Sequence, residues 1–258
     1  MFTCIIRFIC PARHMRPVNS IDLLESLKRY PVFDAARFAA SAGLGPDSAK
    51  VRLFRMKRAG RIIEVQRNSY TVHRDPLIVA SHIVWPAYIS LWYALSHHGM
   101  TPQVPRAMAV VTTRATFHRE LDFLGTRITF IRVPPGYLFG YDRLSVGGHE
   151  VFMAYPEKAI VDAIHLGRIS ASEVFEIIQC NGRELAIDRL VDFAGRSNDG
   201  DAARRIGYML DRAGRRPRGR PRIPPGTTPI PLDRSLPAEG PVDRRWGVID
   251  NVGAGAEG

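Results

Sequence analysis

Ser48, Lys50, Arg52, Arg55, Arg58, Arg61 and Arg67 crowd positive charge and one hydroxyl into a short stretch of the chain. Groups of this kind neutralise phosphate, and the guanidinium fork also reaches the edges of bases. To act together they must leave one side of a rigid element. In the run from Asp47 to Gly60, the apolar residues Ala49, Leu53 and Met56 recur at helical spacing and would face a core. At about 100° per residue, the opposite side collects Ser48, Val51, Arg52, Arg55 and Arg58. Gly60 supplies the stop. Residues 61–66 then alternate as a strand, Arg67-Asn68 turns, and residues 69–73 return, which makes a hairpin with a cationic tip.

Two further helices are expected upstream. Ser20 reads as the cap of one over 21–29, ended by Pro31, and Asp34 as the cap of another over 35–42. Gly43-Leu44-Gly45-Pro46 makes a tight link to the cationic helix. Three helices and a hairpin within residues 20–75 have the size of a winged helix-turn-helix, a module that lays its last helix in the major groove of double-stranded DNA. A merely solvated helix face is the competing use of the same arginines.

The formal charge of +11 is unevenly placed. Residues 1–75 carry 14 Lys and Arg against 6 Asp and Glu, residues 76–213 carry 14 against 14, and residues 214–258 carry 8 against 5. A basic front on a neutral middle suits a polyanion reader joined to a domain with another task. Cys4, Cys10 and Cys180 show neither CxxC nor zinc-type spacing and suit a reducing cytosol. Residues 1–19 read as a disordered leader, with Met15 as an alternative start, and no run approaches the ~20 apolar residues of a membrane span.

Beyond Asp75-Pro76 the expectation is an α+β domain over 76–213: a short helix over 77–84, then one over 86–98 that is apolar almost all round. Strands follow over 107–112, 127–133, 137–141, 143–146 and 149–154, joined by Gly-containing turns and read as a mostly antiparallel sheet. Helices over 156–162 and onward, 171–180, 183–195 and 201–213 close the domain. Residues 214–258 hold 8 Pro and 8 Gly and read as a disordered tail, whose run from Arg215 to Arg222 could trail along phosphate.

No P-loop, dinucleotide-binding glycine pattern, nucleophile elbow or zinc-protease helix occurs. No catalytic residue, metal or cofactor is therefore expected. His97-His98 point about 100° apart on a helix, and Lys158 with Asp162 at i,i+4 reads as an ordinary helix ion pair. Two alternatives stay open: a DNA-binding regulator whose second domain senses a small ligand in a pocket of Trp85, Tyr88 and Trp92, and an enzyme using Glu157 and Asp162.

Several motifs, in order, resemble the AbiEi family, the regulator half of type IV (AbiE-type) toxin-antitoxin systems. They are Leu53-Phe54-Arg55-Met56-Lys57-Arg58-Ala59-Gly60-Arg61-Ile62 with Asn68-Ser69-Tyr70, the run from Pro86 to Leu95, His98-Gly99-Met100, Val110-Val111-Thr112, Ala154 to Asp162, and Arg204 to Leu210. The resemblance spans about residues 20–213. It implies an antitoxin that represses its own operon by binding promoter DNA through the winged helix. It also implies that the second domain antagonises a nucleotidyltransferase-type toxin, without requiring a stable complex. In that family the second domain can also bring a basic face to DNA, whereas residues 76–213 here are neutral in sum. The tail is outside the resemblance.

Overall fold

The computed structural model describes residues 19–116, 118–217 and 228–252. The expected leader, its possible start at Met15, and Arg218, Arg220 and Arg222 lie outside the described residues. The chain divides into two units, Met1–Arg74 and Asp75–Gly258.

In the first unit, α1 (Ser20–Leu27) is capped by Asn19 rather than by Ser20. The Asn19 side-chain oxygen accepts from the N–H groups of Ile21 and Asp22 at 2.8 and 2.9 Å, and Ser20 becomes the first helical residue. Asp34 caps α2 (Ala35–Ala42) by accepting from the N–H of Arg37, and Gly43 ends it with φ 63°. Gly45 and Pro46 then open α3 (Pro46–Arg58). Leu23, Leu27, Phe33, Phe38, Ala42, Ala49, Leu53, Met56 and Ile62 form one core that joins the three helices to the chain beyond them. β1 (Ile63–Gln66) and β2 (Ser69–Thr71) make an antiparallel hairpin, and Phe33 pairs with Tyr70 through two backbone hydrogen bonds of 2.8 Å.

The second unit starts with α4 (Pro76–Ala80), β3 (Ala87–Ser90) and α5 (Leu91–His97). The single helix expected over 86–98 is therefore a strand followed by a shorter helix. All four residues of β3 are buried, and a strand covered on both faces reads as an unbroken apolar run with no period to separate it from a buried helix. Leu91, at φ 58°, turns the chain from one into the other.

Next come β4 (Ala107–Thr112), β5 (Glu120–Phe123), β6 (Thr126–Arg132), β7 (Tyr141–Val146) and β8 (His149–Ala154). The sheet order is β5-β6-β4-β3-β8-β7. Three of its five pairings are antiparallel, as expected, but the sheet is mixed, since β3 runs parallel to β8 and β4 parallel to β6. Pro134 and Pro135 remove ladder donors ahead of the strand expected over 137–141, and Pro135–Tyr137 forms a 3-10 turn instead. Helices α6 (Pro156–Leu166), α7 (Ala171–Cys180), α8 (Ile187–Arg196) and α9 (Gly200–Arg212) complete the layer, with α6 packed on α5, α8 and α9.

Lys158 and Asp162 do pair on α6, but both side chains are wholly buried. Asp162 also accepts from the hydroxyls of Tyr137 at 2.8 Å, Ser90 at 2.6 Å and Tyr88 at 3.1 Å. The Lys158 ammonium lies 3.6 Å from the centre of the Tyr137 ring. One carboxylate thus holds α6 to the central strand and to the 3-10 turn. Burial lowers the pKa of Lys158, partly offset by Asp162.

The reading of 214–258 as a disordered tail needs correction over residues 228–252. β9 (Ile230–Pro231), β10 (Val242–Asp243) and β11 (Val248–Ile249) form a small sheet that covers α9. Leu232, Trp246 and Val248 are buried, and the α9 residues 202–210 are buried with them. Arg204 donates from Nε to the Trp246 carbonyl at 2.7 Å and from Nη2 to that of Thr228 at 2.9 Å. Composition misled because the strands have two residues each, so the segment is fastened by a few long-range bonds rather than by a run of apolar side chains.

Two outcomes are expected. A Cβ at Gly207 would lie 2.0 Å from the Trp246 ring, so Gly207→Ala should cost about 1–3 kcal/mol and open 228–252 to protease, read by limited digestion and tryptophan fluorescence. Asp162→Ala leaves a buried ammonium and three hydroxyls unpartnered and should cost about 3–5 kcal/mol in denaturant unfolding, against under about 1 kcal/mol for removal of the exposed Arg143–Glu150 pair.

Candidate nucleic-acid interface

The direction of every side chain on α3 follows from three residues that pack into the core. Ala49, Leu53 and Met56 are 3, 5 and 5% exposed, and they fix the rotation of the helix about its axis. The short link through Gly43, Leu44 and Gly45 fixes its start, with the Leu44 N–H bonded to the Ala39 carbonyl at 3.1 Å.

With that rotation, Ser48, Lys50, Arg55 and Arg58 are exposed and Arg52 is half-buried. Ser48, Arg52 and Arg55, with Val51 between them, line a broad surface hollow of about 1070 Å³. Arg61, just beyond the helix, lines it too. Lys50, Arg58 and Arg67 do not line it. At about 100° per residue, Arg52 lies beside the apolar stripe, within roughly 60° of Ala49 and Met56, Ser48 lies about midway between Met56 and Arg58, and Arg55 lies nearer Arg58 on the far side.

Lys50 is 3.8 Å from Asp47, with both side chains largely in solvent, so that pair contributes little. Lys57 is bonded to Glu64 of β1 at 2.5 Å, and this hydrogen bond and charge raise its pKa. The Arg58 guanidinium stacks 5.9 Å from the Phe54 ring. Arg67 is exposed at the hairpin turn, where Asn68 adopts φ 58° and accepts from the N–H of Ala35 at 3.2 Å. That bond ties the turn to the first residue of α2.

Phe54 was not among the residues singled out from the sequence. It is 55% exposed, and Val51 is 51% exposed, on a helix whose apolar stripe is already satisfied elsewhere. The signal was present: both fall off the 49, 53, 56 spacing, so neither is needed by the core.

The other groups that drew attention in the sequence have local structural partners. His98 bonds through Nε2 to the Ala154 carbonyl at 2.9 Å, while His97 packs edge-on against it. Glu157, 2% exposed, accepts from the N–H of Ala186 at 2.7 Å and joins α6 to the start of α8. Trp85 is 57% exposed and Tyr88 fully buried, so these two do not line one pocket. Among the described residues no cluster of His, Cys, Asp or Glu could hold a metal ion, and no helix is long and apolar enough to cross a membrane. A scan against protein-family models and a search of curated proteins give no match for this chain.

Proposed function

We propose that the first unit is a winged helix-turn-helix and that the chain is a regulator that binds double-stranded DNA through α3. The observation that carries this reading is the row of Ser48, Arg52 and Arg55, set in one hollow with Arg61 by a helix whose apolar stripe is locked in the core. Arginines supply phosphate neutralisation and bidentate bonds to guanine. Val51 and Phe54 supply apolar contact for thymine methyl groups. Arg67 at the hairpin turn, with Lys50 and Arg58, adds backbone contacts on either side.

The motif order in residues 20–213 extends the reading to an antitoxin. Its own promoter is then the DNA, and a nucleotidyltransferase-type toxin encoded alongside is the protein it antagonises. This half of the proposal rests on the resemblance alone, and the DNA half stands without it.

Replacing Arg52 and Arg55 together with Ala should weaken binding to a duplex from the gene's own upstream region by at least about tenfold. It should also reduce the slope of log K against log salt by about 0.9 for each phosphate no longer neutralised, measured by fluorescence anisotropy. Phe54→Ala should leave that slope in place and reduce the preference over unrelated duplex. Unchanged affinity and slope in the double variant would remove α3 as the interface. Failure to rescue cells expressing the neighbouring toxin would remove the antitoxin half only.

A further inference from the structure

In the second unit, the end of α6, the start of α7, Arg205 of α9 and the chain at 232–235 line a half-open cavity of about 370 Å³, large enough for a small metabolite. Ile164, Ile169 and Leu232 give it an apolar wall, and Arg168, Arg205 and Arg234 bring guanidinium groups to it. Arg205 is the telling residue. It is 3% exposed, and its Nε donates to the Pro231 carbonyl at 2.9 Å. Its Nη1 is buried with no hydrogen-bond partner among the described residues. A buried guanidinium nitrogen left open is costly and uncommon.

The carboxylate of the cavity wall does not meet this need. Asp233 accepts from the N–H of Ala171 at 2.9 Å through one oxygen, and from the N–H and hydroxyl of Ser235 at 2.8 and 2.5 Å through the other. It is spent on the start of α7 and on its own turn. Arg234 reaches Asp199 only at 3.9 Å and the His165 carbonyl at 3.4 Å, and Arg168 is exposed. Burial, and after it the nearby charge of Arg234, brings the pKa of Arg205 down to about 10, while the carboxylates of Asp201 and Asp199 act in the other direction, so the group is still cationic at neutral pH. Of the residues that line the cavity, three are Arg and one, Asp233, is a carboxylate.

We infer that this cavity binds a small-molecule oxyanion, a phosphate monoester or a carboxylate, gripped by Arg205 from within and by Arg168 and Arg234 at the rim, with its organic part on the apolar wall. Planar guanidinium forks match both oxyanions. The inference uses no residue of the first unit and stands apart from the DNA-binding proposal.

The test is calorimetric titration of the full chain at low ionic strength with inorganic phosphate, acetate and a nucleoside monophosphate, with chloride as the ionic control. One equivalent of at least one of the three should bind saturably. Phosphate without acetate identifies a phosphoryl ligand, and the reverse identifies a carboxylate. Arg168→Ala and Arg234→Ala, at exposed positions, should each weaken binding by about tenfold or more, and Arg205→Met should abolish it, with its fold checked by circular dichroism. Arg55→Ala should leave it intact. The inference is overturned if none of the three anions binds saturably, if both rim variants bind as the parent does, or if Arg55→Ala removes the binding.

Discussion

The burial of Ala49, Leu53 and Met56 is the constraint from which the candidate interface follows. Side chains of the size of Leu and Met gain about 1.5–3 kcal/mol each on burial, whereas an exposed ion pair gains under about 1 kcal/mol. The core therefore decides how α3 is rotated, and the charges follow. With the stripe fixed, Ser48, Arg52 and Arg55 leave the helix along one line, and Arg61 joins them where the chain turns toward the hairpin. The same rotation leaves Val51 and Phe54 in solvent, at a cost that apposition to bases would offset.

The second unit solves a different problem, that of keeping polar groups inside. Lys158 is matched by Asp162, Asp162 by three hydroxyls, and Arg204 by the carbonyls of the returning C-terminal segment. Asn251 does the same for the turn at 233–237, accepting from the N–H of Asp233 and donating to the carbonyls of Asp233 and Pro237, each at 2.9 Å. Among the described residues Ser81 Oγ, Glu157 Oε2, Arg205 Nη1 and Arg215 Nε are buried without a hydrogen-bond partner, and of these four residues only Arg205 lines the cavity beside α6 and α7.

Elements marked by a helical period or a terminal residue were legible in the sequence, α6 and α9 among them although their middle residues are buried on every side, and a short buried strand without such a mark was not. The helix α3 and the cap at Asp34 announce themselves by period or by a terminal residue, and β4 and β8 by apolar runs between turns. The strand β3 does not, since Ala87 to Ser90 are covered on both faces. Residues 228–252 escaped for the opposite reason, since their order depends on packing against α9 far away in the chain, Trp246 on Gly207 above all. Within the candidate interface the cations were legible by type. Their division into a row in the hollow and others outside it depends on Asn19, Ser20 and Leu44, which line the hollow too, and so on tertiary packing rather than on the rotation of the helix, which the stripe at 49, 53 and 56 already gives.

The most direct test of the central claim is site-specific photocrosslinking to duplex DNA, with a benzophenone side chain placed in turn at positions 48, 55 and 54, and at 25 on α1 and 192 on α8 as controls. The account predicts crosslinks to DNA from positions 48, 54 and 55 and none from 25 or 192. Crosslinks confined to the control positions, or to none of the five while DNA is bound, would contradict it.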